Sequence, residues 1–240
     1  IFHIDTLSDQ VIEAAGEGTE RVRSTINIPV NWLPANVENI SLWGSAAIAH
    51  GSSVPNQMTG QEYANTLYGY DGNDEILGYN ASDTIWGGNG DDRLYGGSWD
   101  LNVDNSRDYI YGENNSDTIY GAAGSDHLDG GSGNDTLWGG LHGDILWGGP
   151  GADRFAYAAN DTQNQETDEI VDFRRTDGDK IDLSPTSVTR FAGGSTPRPG
   201  ECGSFRSGAD TWVVYDEGGT DHYILLSNAQ LSMTSSDFIF

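Results

Sequence analysis

Aspartates recur at a spacing of nine residues through the middle of the 240-residue chain. Each precedes an apolar residue by two, and all but Asp108 follow a glycine by five, as in Gly87, Asp92 and Leu94; Asp108 follows Gly96 by twelve, because an insertion lies between them. Glycine permits positive φ, which lets a backbone aim several carbonyls at one point. Carboxylate and carbonyl oxygens are the ligands of hard cations such as Ca²⁺, so the spacing indicates a repeated metal-binding turn. The aspartates in phase are Asp74, Asp83, Asp92, Asp108, Asp117, Asp126, Asp135, Asp144 and Asp153.

The unit around each aspartate has the form G-G-x-G-x-D-x-U-x, where U is apolar. Units beginning at Gly87, Gly130 and Gly148 match every fixed position, whereas the first unit has Asn65 in place of the aspartate. Residues 60–156 resemble the calcium-binding repeats of the RTX (repeats-in-toxin) family. The resemblance implies an all-β fold, a parallel β-roll in which Ca²⁺ ions lie between stacked turns. Other units depart from the pattern at the second or third glycine, with Tyr79, Ala81, Glu113, Asn115, Ala122 and His142.

The last three residues of each unit predict a short strand whose middle side chain faces inward. Because successive turns must alternate sides, two units (18 residues) form one coil, and each turn stacks on the turn two units later. The resemblance implies that carbonyls at positions 2 and 4 of one turn, carbonyls at positions 1 and 3 of the other, and the aspartates hold each ion. The carbonyl ligands implied in this way are Gly72, Gly87, Gly88, Asn89, Gly90, Gly124, Gly130, Gly131, Ser132, Gly133, Gly139, Leu141, Gly149 and Gly151.

The charge balance favours cation binding. Acidic residues number 37 and basic residues 11, a net charge of −26, which disfavours nucleic acid or an anionic membrane as a partner. From Gly60 to Ala156 there are 17 acids and three arginines, and six to eight Ca²⁺ ions would roughly neutralise that charge. One buried apolar side chain per unit stabilises little, so we expect this region to be disordered without calcium and to fold on binding it. Solvated loops would not keep the apolar residues in phase.

The flanking regions lack the repeat. Within residues 1–59, the stretch 13–48 resembles a segment that precedes RTX repeats in many secreted bacterial proteins. We interpret residues 1–59 as broader solenoid coils of a longer protein. Residues 157–240 predict an antiparallel β cap with a hairpin of 211–215 and 222–226. Within this cap, residues 167–184 resemble the region that follows the repeats in serralysin-type C-terminal domains.

Two features of the C-terminal region each leave two interpretations open. Four of the five aspartates in the 167–184 segment fit either a further calcium site or a solvated acidic loop; they are Asp168, Asp172, Asp179 and Asp182. The final SSDFIF resembles C-terminal signals read by type I secretion systems, and it also fits a last β-strand. An insertion near Trp99 to Asn105 interrupts the repeat, and its effect is open.

We expect no enzyme activity from this chain. None of the five histidines begins an H-E-x-x-H motif, and no serine lies in a G-x-S-x-G elbow. The only lysine, Lys180, follows an aspartate, so no G-x-x-x-x-G-K phosphate loop exists. The single Cys202 excludes an intrachain disulfide. No signal peptide is recognisable, and no apolar run is long enough to span a bilayer.

Aromatic residues close many of the repeat tails and should point outward. By alternation Tyr68, Trp86, Tyr111 and Trp147 lie on one sheet, and Tyr95, Tyr120 and Trp138 on the other. They predict either a stacked ladder that stiffens each sheet or a platform for sugar rings.

Together these features predict the calcium-binding C-terminal region of a secreted or surface-bound bacterial protein. It would fold on calcium outside the cell and support type I secretion, with calcium and the secretion apparatus as partners. The alternative is a calcium-dependent adhesion or glycan-binding module whose partner is an extracellular polysaccharide or a cell surface.

Overall fold

A computed structural model describes residues 1–12, 19–34, 36–98, 105–158, 166–217, 219–229 and 231–240. The chain winds as a solenoid between two sheets, here called A and B. In these ranges the only helical segment is a 3₁₀ turn at Ser235–Asp237.

The strands alternate between the two sheets through the repeats, and they are numbered in chain order. Sheet A contains, from one end to the other, β1 (Phe2–Ile4), β2 (Arg21–Ser24), β3 (Asn39–Leu42), β5 (Gln57–Gln61), β7 (Glu75–Tyr79), β9 (Arg93–Gly97), β11 (Thr118–Ala123), β13 (Thr136–Leu141), β15 (Arg154–Ala156), β17 (Lys180–Asp182) and β22 (Phe238–Ile239). Sheet B contains β4 (Ile48–His50), β6 (Thr66–Asp71), β8 (Thr84–Asn89), β10 (Tyr109–Asn114), β12 (His127–Asp129), β14 (Ile145–Trp147), β16 (Asp168–Ile170), β21 (Thr220–Leu226), β20 (Asp210–Glu217), β19 (Glu201–Ser207) and β18 (Arg190–Phe191).

Strands pair in parallel with the strand one coil away. Ile76 pairs with Leu94, which is 18 residues later. Ile85 pairs with Ile110 at a separation of 25, because an extra segment lies between them. The predicted coil of two units is therefore confirmed. Of the predicted insertion, residues 99–104 lie outside the described residues.

The core of the roll is one column of side chains from each sheet. Every repeat strand buries its middle residue, and the two flanking residues are partly or fully exposed except Ala156 of β15, as the period of two in a strand leads us to expect. The sheet A column consists of Ile76, Leu94, Ile119, Leu137 and Phe155, and the sheet B column of Leu67, Ile85, Ile110, Leu128 and Leu146. Each of these residues is at most 1% exposed. A core one residue thick leaves much of the stabilisation to the turns.

The predicted antiparallel hairpin at the C-terminal end is confirmed: β20 pairs antiparallel with β21. A third strand, β19, which the sequence did not suggest, pairs antiparallel with β20. Strand β21 joins the roll by pairing in parallel with β16, and β22 pairs with β17. The cap thus covers the last coil and protects its open edges.

No helix in the described part of the chain has the length and apolar character needed to cross a membrane.

Candidate calcium sites

The turns form two rows along the solenoid. The B-to-A row connects sheet B to sheet A and contains the turns that begin at Gly51, Gly69, Gly87, Gly112, Gly130 and Gly148. The A-to-B row connects sheet A to sheet B and contains the turns that begin at Gly60, Gly78, Gly96, Gly121 and Gly139.

One carboxylate oxygen of each repeat aspartate links consecutive coils. The backbone N–H of Asp74 donates to Oδ1 of Asp92 at 2.7 Å, and that of Asp117 donates to Oδ1 of Asp135 at 2.8 Å. The A-to-B row repeats the pattern, with Asp108 N–H donating to Asp126 Oδ1 at 2.8 Å. These bonds stack the aspartates of each row into a continuous ladder.

In the B-to-A row the second carboxylate oxygen of the aspartates is unlike the first. In the B-to-A row, Oδ2 of the aspartates is buried and has no hydrogen-bond partner in the described part of the chain, and each of these residues is at most 2% exposed. The residues are Asp74, Asp92, Asp117, Asp135 and Asp153. A buried acceptor without a partner is costly, and a bound cation removes that cost.

The first-position glycines border the space beside this oxygen. A methyl group on Gly69 would lie 2.2 Å from Asp74 Oδ2 and 2.4 Å from the carbonyl oxygen of Gly87 in the next coil. On Gly112 it would lie 2.3 Å from Asp117 Oδ2 and 2.4 Å from the carbonyl oxygen of Gly130. A carboxylate oxygen and a carbonyl oxygen from different coils therefore meet beside Gly69 and beside Gly112.

The second and fourth positions have an additional reason for glycine, which is their backbone conformation. Gly88 has φ of 117° and Gly90 has φ of 139°. The residues that replace these glycines hold φ between 68° and 85°; they are Tyr70, Tyr79, Ala81, Glu113, Asn115, Ala122 and His142. A left-handed conformation costs an L-residue roughly 1–2 kcal/mol, so these positions tolerate substitution at a price in stability.

The carbonyl groups of stacked turns point at one another. The carbonyl oxygens of Tyr70 and Gly72, at positions 2 and 4, would lie 2.0 and 1.8 Å from a Cβ on Gly88 and Gly90 in the next coil. The carbonyl of Asn89, at position 3 of the next turn, points toward the preceding coil, because it accepts a hydrogen bond from Gly72 N–H at 2.8 Å. Positions 2 and 4 of one turn thus face positions 1 and 3 of the next.

The same orientation holds at other turns. Gly124 N–H donates to the carbonyl of Leu141 at 3.2 Å. A Cβ on Gly149 would lie 1.9 Å from the carbonyl oxygen of Gly131, and one on Gly151 would lie within 2 Å of that of Gly133. The structure therefore brings the carbonyls named from the sequence into facing sets with the aspartates. An all-oxygen set of this kind suits Ca²⁺.

In the absence of a cation, burial raises the pKa values of the aspartates in the B-to-A row and so disfavours their ionised forms. Desolvation raises the pKa of Asp117 to about 8, and neighbouring carboxylates add to the rise. The pKa values of Asp74, Asp92 and Asp153 rise to about 7 and that of Asp135 to about 6, in each case mainly through burial. A divalent cation would restore the ionised forms.

No group of three or more His, Cys, Asp or Glu side chains converges anywhere in the described ranges. The turns explain this, because each supplies one carboxylate and the other oxygens come from the backbone.

A family model for the RTX calcium-binding nonapeptide repeat matches the chain in four overlapping copies, at residues 50–81, 68–98, 101–128 and 120–155. The chain contains an array of RTX calcium-binding repeats. RTX repeats bind Ca²⁺ and are typical of secreted bacterial proteins. A comparison with curated proteins found no match.

The RTX array begins one unit earlier than the sequence reasoning placed it. The turn from Gly51 has Asn56 at the aspartate position, and a methyl on Gly51 would lie 2.5 Å from Asn56 Oδ1. Asn56 Nδ2 donates to the carbonyl of Val37 at 2.7 Å. The Gly51, Asn56 and Met58 phase was visible in the sequence, but Ser-Ser-Val-Pro between the first two obscured it.

Two C-terminal aspartates extend the ladders of the RTX array beyond its repeats. Asp168 Oδ1 accepts from Asp144 N–H at 2.9 Å, and Asp179 Oδ1 accepts from Asp153 N–H at 3.1 Å. Both are at most 1% exposed. The solvated acidic loop expected as one alternative is therefore wrong for these two residues.

The other two of the four candidate aspartates, Asp172 and Asp182, have different partners. Asp182 is fully buried and pairs with Arg154, so it is not solvated either. Asp172 accepts from the N–H groups of Gly148 and Gly149 at 2.9 Å each, where it closes the last repeat turn. A calcium site built by these four aspartates stays a prediction.

The aromatic residues of the RTX array lie on the two sheets as expected. On sheet B, Tyr68 lies between His50 and Trp86, with centroid distances of 4.6 Å on both sides, and Trp86 also stacks on Tyr111 at 5.5 Å. On sheet A, Tyr120 stacks on Tyr95 at 5.0 Å and on Trp138 at 5.9 Å. Neighbouring rings cover the faces that a sugar would need, which favours the stiffening ladder.

Trp147 joins the sheet B ladder through a histidine and not through the tail residue of the neighbouring strand. Asp129 occupies the tail position on the strand between Tyr111 and Trp147. Trp147 stacks instead on His127 at 4.1 Å. His50 and His127 also belong to the ladder. The prediction from the sequence missed both because it included only Tyr and Trp.

Proposed function

We propose that this chain is a calcium-triggered folding region of a secreted bacterial protein. One observation carries the proposal: among the described residues, a buried carboxylate oxygen without a hydrogen-bond partner recurs at every aspartate turn of the B-to-A row. Such a column is unstable alone because of desolvation and mutual repulsion. Ca²⁺ between the turns converts it into the main source of stability.

Seven ions fit the stacking of the turns. Aspartate turns face each other in four pairs in the B-to-A row, from Asp74 to Asp153, and in three pairs in the A-to-B row, from Asp83 to Asp144. One ion per pair lies within the six to eight that the charge of the region suggests. We propose this number for the calcium-loaded chain.

The calcium dependence supports a role in export. Extracellular calcium modules fill at about 10⁻⁴–10⁻³ M, far above the free calcium of a cytosol. The chain would therefore stay unfolded inside the cell and fold after it emerges. Folding outside prevents backward movement and makes transport directional.

The C-terminal segment strengthens this link to type I secretion. Asp237 is fully buried, and both its carboxylate oxygens accept from the guanidinium of Arg175, at 2.5 and 2.6 Å. Phe238 packs in the core at 6% exposure. A secretion apparatus that reads SSDFIF would have to do so before the roll folds, which is the order that low cytosolic calcium imposes.

We further propose that the chain is not catalytic. Its repeat aspartates take part in turn stacking. Two of its histidines, His50 and His127, stack on other rings in the aromatic ladder. The chain would serve a catalytic or adhesive domain elsewhere in the same polypeptide.

Far-UV circular dichroism and trypsin digestion test the folding proposal. In millimolar CaCl₂ we expect a β spectrum and protection of the bond after Arg175. In EGTA we expect a disordered spectrum and rapid cleavage there. MgCl₂ at the same concentration is the matched control, because Mg²⁺ requires a smaller octahedral site, and it should not restore the fold. A β spectrum that is the same in EGTA and in calcium would refute the proposal.

A further inference from the structure

A groove of about 630 Å³ lies on the outer face of sheet A, near the N-terminal end of the A-to-B row. Its lining includes Arg23, Trp43, Tyr63, Tyr79 and Asn80. None of these five residues belongs to the aromatic ladders or supplies a carboxylate to the aspartate ladders.

The groove exists because the outward tail position of sheet A changes character along the solenoid. In the later coils this position carries the stacked rings of Tyr95 and Tyr120. On β3 and β5 it carries Ser41 and Thr59 instead, which are joined by a 2.9 Å hydrogen bond between their hydroxyls. Two small side chains in a row of large ones leave a depression with a hydroxyl-lined floor.

The walls are aromatic rings that face solvent. Trp43 is 52% exposed, Tyr63 65% and Tyr79 40%. The guanidinium of Arg23 lies 5.1 Å from the ring centroid of Trp43 and holds that ring at one end of the groove. Unlike the ladder residues Tyr68 and Trp86, these three rings make no ring–ring stack with the described residues.

Two buried polar atoms in the groove lack partners. Arg23 Nε, a donor, and Asn80 Oδ1, an acceptor, have no hydrogen-bond partner in the part of the chain that the structure describes. Native structures rarely leave such groups unpaired. A ligand that carries both donors and acceptors would satisfy both.

We propose that this groove binds a neutral oligosaccharide. Sugar rings offer apolar faces that pack on exposed aromatic rings and hydroxyls that both donate and accept hydrogen bonds, which the floor and the two unpaired atoms require. Arg23 and Glu62 give the lining no net charge, and the chain's net charge of −26 repels acidic sugars. The distance from β2 to β7 is three strand spacings, about 14 Å, which is long enough for more than one sugar ring.

The groove also depends on the roll. Arg23 and Trp43 belong to the N-terminal coils, whereas Tyr79 and Asn80 belong to the turn that ends at Asp83. Sugar binding therefore rests on the proposed calcium-dependent folding and should require calcium. Circular dichroism of each sample separates a failure to fold from a failure to bind.

Isothermal titration calorimetry on the full chain in CaCl₂ tests the proposal. The probes are maltotriose, cellotriose, mannotriose, xylotriose and chitotriose, with trigalacturonic acid as the acidic comparison. We expect saturable binding of at least one neutral trisaccharide and none of the acidic one. Trp43→Ala and Tyr63→Ala should weaken binding at least tenfold, and Asn80→Ala about threefold to tenfold.

The matched controls are Trp86→Ala and Trp138→Ala, which remove ladder rings and should leave the affinity within twofold of the wild type. Three results would overturn the proposal in protein whose calcium-loaded spectrum is native: no saturable binding of any neutral probe, binding of the acidic probe alone, or loss of affinity in Trp86→Ala or Trp138→Ala but not in Trp43→Ala.

Discussion

The asparagine turns at the start of the roll and the aspartate turns that follow share one backbone but satisfy their side chains differently. Asn56 accepts through Oδ1 from Ser52 N–H at 2.7 Å and donates through Nδ2 to the carbonyl of Val37 at 2.7 Å. Asp74 occupies the same place one coil later, but its Oδ1 accepts from Asn56 N–H at 2.7 Å and its Oδ2 has no partner in the described ranges. The first turn is complete without metal, and the second is not.

The difference follows from what the preceding coil offers. The N-terminal coils present carbonyl oxygens, those of Val37 and Ala46, to the side chains of Asn56 and Asn65. Repeat coils present an N–H at the same place. An amide donor suits the first case and a carboxylate the second, so the asparagines start the two ladders and the aspartates continue them with an oxygen left for calcium.

The largest effect should come from a methyl group at a first-position glycine. In Gly112→Ala the methyl would occupy the space of Asp117 Oδ2 and the Gly130 carbonyl, at 2.3 and 2.4 Å. We expect a loss of about 3 kcal/mol or more and at least a tenfold rise in the calcium concentration that gives half-folding. Calcium titration followed by circular dichroism measures both.

The matched variant in an asparagine turn is Gly60→Ala, whose methyl would lie 2.4 Å from Asn65 Oδ1. It should lower stability without reducing the number of bound ions. Equal calcium midpoints for Gly112→Ala and the wild type would contradict the placement of a calcium ion between Asp117 Oδ2 and the Gly130 carbonyl.

Asn56→Asp should be the next most damaging change. It replaces the amide that donates to Val37 with a second acceptor at 2.7 Å from the carbonyl oxygen, so we expect a loss of about 1–3 kcal/mol. Urea denaturation in calcium measures the free energy of unfolding. Asn56→Ala is the control, because it loses the bonds without adding a charge and should cost less. A more stable Asn56→Asp protein would show that the two kinds of turn are interchangeable.

The reverse change, Asp117→Asn, should have opposite effects with and without calcium. The amide retains an acceptor for Asp92 N–H, which now donates to Asp117 Oδ1 at 2.8 Å, but it removes a charged ligand. We expect one or two fewer bound ions by calorimetry and, in EGTA, at least as much β structure as in the wild type. An unchanged number of ions would separate Asp117 from the calcium sites.

The smallest and most gradual effect should be that of pH in the absence of calcium. Burial raises the pKa of Asp117 from 3.8 to about 8 and that of Asp135 to about 6. A raised carboxyl pKa means that the folded state holds protons that the unfolded state releases. The metal-free roll should therefore gain stability as the pH falls through 8 to 6 and retain it below about 4.

Circular dichroism in EGTA should show more β structure at pH 5 than at pH 8.5. In calcium the direction reverses, because protons compete with the metal, and half-folding should need more calcium at pH 5. The asparagine turns do not titrate and should contribute nothing. A metal-free β signal that rises with pH would contradict the burial of these carboxylates.

Much of the fold could be predicted from the repeat. The interval of nine residues implied alternating turns, an 18-residue coil and an inward residue such as Ile76 in every strand, and these predictions are confirmed. They succeed because each coil contacts only its neighbours, so a one-dimensional pattern specifies the contacts. Family resemblance alone supplied the roles of the carbonyls.

The residues that end the two aspartate ladders could not be predicted from the repeat. Asp168 and Asp179 follow their partners Asp144 and Asp153 by 24 and 26 residues, intervals that belong to no repeat. Arg175 and Asp237 pair across 62 residues. Such contacts depend on how the cap folds back on the last coil, and no local spacing encodes that path.

By itself, the sequence determined the period, the alternation of the two sheets and the calcium-binding type of the repeats, because charge, glycine content and apolar phase are properties of the chain alone. Only the tertiary structure showed which physical constraint requires glycine at a given position of the turn. Gly112 is excluded from carrying a side chain by atoms of Asp117 and of Gly130 in the next coil, whereas Ala122 shows that a positive φ of 84° can be borne without glycine. A strained dihedral costs about 1–2 kcal/mol, but at Gly88 a Cβ would also lie 2.0 Å from the carbonyl oxygen of Tyr70. Only the stacking of the coils shows which of the two constraints acts at a given position.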